Sequence, residues 1–205
     1  MVILDIHTHN LAQEYSIYDC GSDYTHDRIV SVGIHPWKIT DAWEDVFRRI
    51  EKTALSPNVA AIGECGIDKV NSTVEIGTQK NVFKAHALLA ERTGKPLIIH
   101  CVKGFDEIIA VHKELSPKQT WILHGFRGKP QQAQQLLNNG ICLSFGEHFN
   151  HDTARIVPLH SLFIESDESL QPISTIMTAI AQSKEISTDV LAEHIKKNTR
   201  IFGQF

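Results

Sequence analysis

Short runs of aliphatic and β-branched residues alternate along this chain with longer stretches of helical periodicity. That alternation restricts the possible folds more than any other feature. The runs are Val2–Ile6, Ile29–Ile34, Val59–Gly63, Pro96–Ile99, Thr120–Leu123, Ile141–Phe145 and Leu162–Glu165, with Tyr15–Asp19 as a weaker eighth. Each is apolar at almost every position, the pattern of a strand covered on both faces. Between them, Asp41–Ala54 opens on a Thr40/Asp41 cap candidate and carries Trp43, Val46, Phe47 and Ile50 at helical spacing. Thr78–Thr93 ends at Gly94-Lys95-Pro96, Phe105–Leu115 stops before Ser116-Pro117, and Pro130–Asn139 has proline first and Gly140 just beyond its end. Ile173–Gln182 and Thr188–Phe202 complete the helical set. Strand-then-helix repetition predicts an α/β fold on a parallel sheet. Seven or eight such units favour a closed TIM-type (β/α) barrel over an open sheet, a choice that periodicity alone leaves open. One unit is reduced between Asn10 and Arg28, which lacks a convincing helix.

Residues 1–205 contain no repeat, low-complexity tract or linker, and this length suits one core better than two, so a single domain is expected. Apolar residues make up 42% and charged residues 21%, the profile of a globular chain. A net charge of −4 excludes a broad basic surface, so any nucleic-acid binding has to be local and metal-assisted. The four cysteines, Cys20, Cys65, Cys101 and Cys142, form no C-x-x-C pair, which fits a reducing cytoplasm better than a disulfide framework. No basic-then-apolar leader precedes the first run and no run is long enough to span a bilayer, so neither a secretion signal nor a membrane anchor is expected.

The polar residues at the strand ends carry the chemistry. Asp5, His7 and His9 alternate at the end of the first run, which places His7 and His9 on one face. Glu64, His100, His124 and Asp167 follow the runs ending at Gly63, Ile99, Leu123 and Glu165. In a parallel barrel these C-terminal strand ends share one rim, where active sites sit. A single strand-end histidine is commonly just a hydrogen-bonded structural residue, and Glu64 or Asp167 alone could cap a helix or join an ion pair. Five strand ends carrying metal-ligand types, at positions where an unpaired charge costs several kcal/mol, together point to a metal site. Four imidazoles and two carboxylates suit zinc, manganese, iron or cobalt, with magnesium less favoured on ligand hardness.

Asp5-Ile6-His7-Thr8-His9, Gly33-Ile34-His35-Pro36, Ala61–Asp68, Gln79 with Phe83, and Lys95–His100 succeed one another along the chain, followed by His124-Gly125-Phe126, Ser144-Phe145-Gly146, Glu165-Ser166-Asp167 and the segment from Asn198 to Gly203. In this order the first five resemble the D-x-H-x-H, G-x-H-P, A-I-G-E-x-G-L-D, Q-x3-F and K-P-x-x-I-H segments of the TatD family of metal-dependent hydrolases, and the later ones follow the family order, so the resemblance covers nearly the whole chain. The resemblance implies an α/β barrel binding one or two divalent ions (magnesium, manganese or zinc) through His7, His9, Glu64, His100, His124 and Asp167. Glu64 would be shared if both sites fill, and Asp167 would also orient or deprotonate the attacking water. His35 would face the substrate or leaving group. The implied activity is that of a deoxyribonuclease cutting DNA ends, single strands or small phosphodiesters through a metal-activated water.

Departures from the family pattern fall on the substrate side. Val102 replaces the family arginine, with Lys103 beside it; Glu168-Ser169-Leu170 follows Asp167; and Glu147–His151 replaces a lysine-containing loop. Lys103 and Arg127 remain as phosphate-contact candidates. These changes leave two other readings open: a metal-dependent hydrolase of another ester, amide or phosphomonoester, and a metal-binding barrel without turnover. Trp37 is read either as a base-stacking residue or as packing in the wall. Asp5 is either a hydrogen-bond partner of a ligand imidazole or a plain structural carboxylate. Cys65 and Cys101, next to candidate ligands, are expected to pack in the core.

Overall fold

A computed structural model describes residues 4–22 and 28–203 of the chain. It contains β1 (Asp5–Thr8), β2 (Ser16–Asp19), β3 (Val30–Val32), α1 (Trp43–Thr53), β4 (Val59–Asp68), α2 (Ile76–Thr93), β5 (Leu97–Val102) and α3 (Phe105–Leu115). These are followed by β6 (Trp121–Leu123), α4 (Pro130–Leu137), β7 (Cys142–Phe145), α5 (His151–Ile156), β8 (Leu162–Ile164), α6 (Ile173–Ser183) and α7 (Thr188–Asn198). The strands pair in chain order, with β8 returning beside β1, which is the topology of a closed parallel (β/α) barrel. The weak eighth run is therefore a true strand, β2. Val2 and Ile3 of the expected first strand, and residues 23–27 of the reduced unit, lie outside the described residues.

The chain divides into two compact units, Met1–Tyr18 with Ile122–Phe205, and Asp19–Trp121. In the first, β1 pairs with β2 and β8, and β7 pairs with β6 and β8. In the second, β4 pairs with β3 and β5. All ten residues of β4 are buried, which explains its unbroken apolar character up to Gly63. α2 supplies Val82, Phe83, Ala87 and Leu89 to the core of this unit, and the Phe83 ring lies 5.2 Å from that of Trp121.

Several boundaries differ from the sequence expectation. β4 continues five residues beyond Gly63 and β5 three beyond Ile99, so Glu64 and His100 lie within strands rather than after them. Neither Thr40 nor Asp41 caps α1 through its side chain; the helix begins after Ala42, and the Thr40 carbonyl accepts from Trp43 N–H at 3.1 Å. α2 does end on Gly94, whose φ of 69° gives the left-handed cap that glycine adopts without strain. The last predicted helix stops at Asn198 and tightens into a 3-10 turn, Thr199–Phe202. α5 was not foreseen, because six residues are too few to show a period. Among the described residues, no helix is long and apolar enough to cross a membrane.

One polar side chain in the core is fully satisfied. Ile34 N–H donates to His86 Nε2 at 3.0 Å, which leaves the proton on Nδ1 to donate to the Val82 carbonyl at 2.8 Å. Burial pushes the pKa of His86 down to about 4 from 6.5, so the folded chain holds it neutral. As pH falls, the unfolded chain takes up this proton first. The stabilisation is complete above the unfolded value of 6.5 and is lost as pH falls toward about 4, by roughly 3 kcal/mol. Urea titrations at about pH 7.5 and about pH 4.5 should therefore show the stability advantage of the parent chain over His86→Gln shrinking by roughly 2–3 kcal/mol at the lower pH. An advantage equal at both values would refute the assignment.

Candidate metal centre

In the first unit, three steps along β1 from Asp5 to Thr8 oppose two along β2 from Ser16 to Tyr18. This bulge falls between Asp5 and Thr8, an interval that includes His7, and bulges re-aim the side chains they carry. His7 is buried and His9, one residue past the strand, is exposed. Their rings meet edge to face at 4.9 Å, and the ring of His7 lies 4.4 Å from that of His124. Both Nε2 atoms lie 3.7 Å from Asp167 Oδ1. The main chain fixes Asp167: its N–H donates to the His7 carbonyl, and its own carbonyl accepts from His9 N–H, each at 2.9 Å. Its φ of 52° is left-handed, a conformation aspartate tolerates better than most residues.

Behind this group stand two buried carboxylates. Asp5 accepts from the backbone N–H groups of His7 (3.2 Å) and Ser166 (3.0 Å) and from the Ser166 hydroxyl (2.6 Å). It thus joins β1 to the end of β8 and acts as a structural carboxylate. Burial raises its pKa to about 7 even against these donors. Glu165 Oε1 accepts from His124 Nδ1–H at 3.2 Å and from Gly125 N–H at 2.6 Å. Burial opposes charge on Glu165, but the imidazoles of His124 and His7 outweigh it and hold its carboxyl below the usual range. With the proton of His124 on Nδ1, Nε2 is the ring nitrogen that can offer a lone pair to a cation.

A cavity of about 330 Å³ opens beside these residues, lined by Arg127, Glu147, His148, Glu165, Asp167 and Ser169 among others. Glu147, in the loop that departs from the family pattern, accepts from Ser169 Oγ and Gln171 Nε2, both at 2.6 Å. It ties the loop after β7 to the loop after β8. Arg127 is exposed at this cavity.

In the second unit, a bulge between Ile62 and Cys65 sets three residues of β4 against two of β5, and Glu64 lies within it. Glycines allow the strands to approach here. A Cβ on Gly66 would come within 1.9 Å of the His100 carbonyl oxygen, and the φ of 150° at this residue disfavours any side chain. Glu64 is steadied from behind by Asp19, whose Oδ1 accepts from Glu64 N–H at 3.2 Å and from Ser31 Oγ at 3.3 Å.

His100 has carboxylates at both ring nitrogens, Glu64 Oε1 2.8 Å from Nδ1 and Asp68 Oδ2 3.2 Å from Nε2. A neutral imidazole has one N–H for two carboxylates, so a proton or a metal cation has to mediate the second contact. Burial works against charge on Asp68, but the backbone N–H groups of Asn71 and Val70, the Trp37 indole and the Asn71 amide hold its carboxyl well below the usual range. His35 Nδ1 accepts from Trp37 N–H at 3.1 Å, capping the 3-10 turn Pro36–Lys38, so Nε2 carries the proton. That Nε2 lies 3.3 Å from Glu64 Oε1. Lys103 is exposed just beyond β5. Cys65 is fully buried and its thiol is pushed well up by burial; burial likewise pushes Cys101 to about 12.

These donors fit a divalent cation. Ligand atoms lie within 4.8 Å of one another in His7, His9 and Asp167, in His124, Glu165 and Asp167, and in His35, Glu64 and His100. Glu165 Oε2 is buried without a hydrogen-bond partner among the described residues. Sequence reasoning missed Asp19, Asp68 and Glu165 as supporting carboxylates. Asp19 and Glu165 have one visible signal, since each closes a strand run; Asp68 lies five residues beyond the run ending at Gly63 and has none.

The model of the TatD related DNase family matches residues 4–203. An uncharacterized metal-dependent hydrolase of Buchnera aphidicola is 29% identical over 83% of this chain and 72% of its own length. A metal-dependent hydrolase TatD of Mycobacterium tuberculosis is 31% identical over 67% of this chain, and a 3'-5' ssDNA/RNA exonuclease TatD of Enterobacter lignolyticus is 27% identical over the same share. The chain spans 56% of the length of each of these two relatives. Among solved structures, YJJV, a TatD homolog from Escherichia coli, matches with a TM-score of 0.74 at 21% identity, over 84% of this chain and 75% of that one. A TatD family hydrolase from Entamoeba histolytica matches with a TM-score of 0.67 at 17% identity, over 83% of this chain and 73% of that one. At these identities the likeness is one of fold.

Replacing the carboxylate behind a candidate ligand imidazole should weaken metal binding without unfolding the chain. Glu165→Gln is expected to weaken zinc or manganese binding roughly 10–100-fold in calorimetric titration. Unchanged affinity would show that Glu165 does not prepare His124 for a cation.

Proposed function

Because the chain belongs to the TatD related DNase family, we propose that it is a divalent-metal-dependent phosphodiesterase acting on single-stranded DNA, DNA ends or small phosphodiesters. The observation that carries this reading is the carboxylate-backed imidazole, found twice: Glu165 behind His124 and Asp68 behind His100. Such pairing fixes the tautomer and raises the basicity of a metal ligand. The ligands we assign are His7, His9, His124 and Asp167 in the first unit and Glu64 and His100 in the second. Imidazole-rich ligation favours zinc or manganese over magnesium.

When bound, the metal supplies Lewis acidity toward the phosphoryl oxygens and acidifies the attacking water. Asp167 orients that water and takes its proton as the new P–O bond forms. His35, with Nε2 protonated, donates a hydrogen bond to the departing oxygen, which takes its proton from solvent as the old P–O bond breaks. Arg127 and Lys103 neutralise non-bridging oxygens. The names of two relatives, 3'-5' ssDNA/RNA exonucleases, support a single-stranded nucleic-acid substrate. We also place the chain in a reducing cytoplasm, because its four separated cysteines form no C-x-x-C pair.

The protein, purified without a metal-binding tag, should carry zinc or manganese, and chelation should abolish cleavage of single-stranded oligonucleotides until metal is restored. His7→Ala/His9→Ala should lose metal. Asp167→Asn should lower kcat roughly 10²–10⁴-fold. Metal content unaffected by the double substitution would overturn the ligand assignment. Cleavage of carboxyl esters alone would overturn the phosphodiester reading.

A further inference from the structure

Trp37 is a large aromatic side chain left largely in water. Its indole follows His35 in the 3-10 turn Pro36–Lys38 and remains 57% exposed. Nonetheless it is held firmly. Nε1–H donates at 2.7 Å to Asp68 Oδ2, on a fully buried side chain. Asp68 is itself fixed: Oδ1 accepts from Val70 N–H and Asn71 N–H at 2.8 Å each, and Oδ2 also accepts from Asn71 Nδ2 at 3.1 Å. Gln79 clamps its main chain, accepting from Asp68 N–H at 2.8 Å and donating to its carbonyl at 3.1 Å. The indole ring stands edge to face with His35 at 4.6 Å and with His100 at 5.9 Å.

Ordering a large side chain costs entropy, and leaving an indole in water forgoes the gain from burying it. Here both costs are met at a position beside a candidate catalytic cluster. The single polar atom of the ring is already engaged by Asp68, so what remains for a ligand is π-surface.

We propose that Trp37 is a stacking platform for a nucleobase of a single-stranded nucleic acid, set beside His35 and His100. Stacking on an indole accepts any base, because every base presents a π-face. With its N–H occupied, Trp37 holds a base without reading its hydrogen-bonding edge, so it selects for nucleic acid over base-free phosphodiesters and is indifferent to sequence. This inference rests on the phosphodiesterase reading above.

The test compares an oligothymidylate with an abasic oligomer of the same length, which keeps the phosphates and lacks the bases. Binding is followed by tryptophan fluorescence with metal bound, in an Asp167→Asn background where cutting is slowed. The signal of Trp37 is the difference between the parent chain and Trp37→Phe, since Trp43 and Trp121 are common to both. Oligothymidylate should quench that signal and the abasic oligomer should not. In cleavage assays, Trp37→Ala should raise KM for oligothymidylate roughly tenfold more than it raises KM for the abasic oligomer. Trp37→Phe keeps a ring but loses the bond to Asp68, and should retain most of the preference for bases. Equal losses of Trp37→Ala on both oligomers, or no loss on either, would overturn the proposal, the former by making Trp37 only a support for His100. Base-dependent quenching without any cleavage would leave the platform standing and overturn the phosphodiesterase reading. Cleavage without base-dependent quenching would do the reverse.

Discussion

A carboxylate buried beside an imidazole is costly unless something positive or proton-donating faces it. The chain meets this condition at Glu165 with His124 and at Asp68 with His100. The arrangement of the surrounding elements follows from it. β8 has to end with Glu165 directed at Gly125 and His124, and β4 has to run on to Asp68 beside β5. The burial that makes these carboxylates expensive also shields them from water, so each can hold its partner ring in one tautomer and orientation. A cation bound to such rings would meet ligands whose directions were already determined.

Backbone geometry carries as much of this organisation as the side chains do. In β1 and in β4 a bulged interval includes a candidate ligand, His7 in one case and Glu64 in the other. Gly66 lets the backbone of β4 approach the His100 carbonyl more closely than any side chain would permit. On the substrate side, Glu147 replaces a basic loop with a carboxylate that joins two loops. The proposed ligands keep the family pattern while the wall of the adjoining cavity has its own chemistry, which is where relatives sharing one reaction would differ in what they accept.

Much of the fold was legible in the sequence because both-face burial leaves an unmistakable apolar run, and α3 begins and ends where its pattern indicates. Strand ends were less legible. The apolar run stops at Gly63, yet β4 continues through Glu64 to Asp68, since the polar groups there are satisfied by His100 and by Gln79 rather than by water. The residues that the sequence marks as candidate ligands do cluster within each unit, because alternation and strand-end position survive translation into space. The carboxylates behind them were silent. Asp19, Asp68 and Glu165 read the same whether solvated or buried, and the donors of Asp19 and Glu165 lie far off along the chain, as with His124 and Glu165, 41 residues apart. Nor could spacing reveal that the Thr40/Asp41 cap is unused, since the choice of Ala42 depends on the turn before it.

The bond between Asp5 and Ser166 spans 161 residues of sequence. Contacts of such separation close late, because the chain entropy between them has to be given up before they return any gain. While the chain is being made, Asp5, His7 and His9 leave the ribosome well before their partners Ser166 and Asp167. No nascent intermediate that stops short of Asp167 can hold His7 and His9 against it. The proposed capture of a cation by this group therefore has to wait for residues made more than 150 positions later.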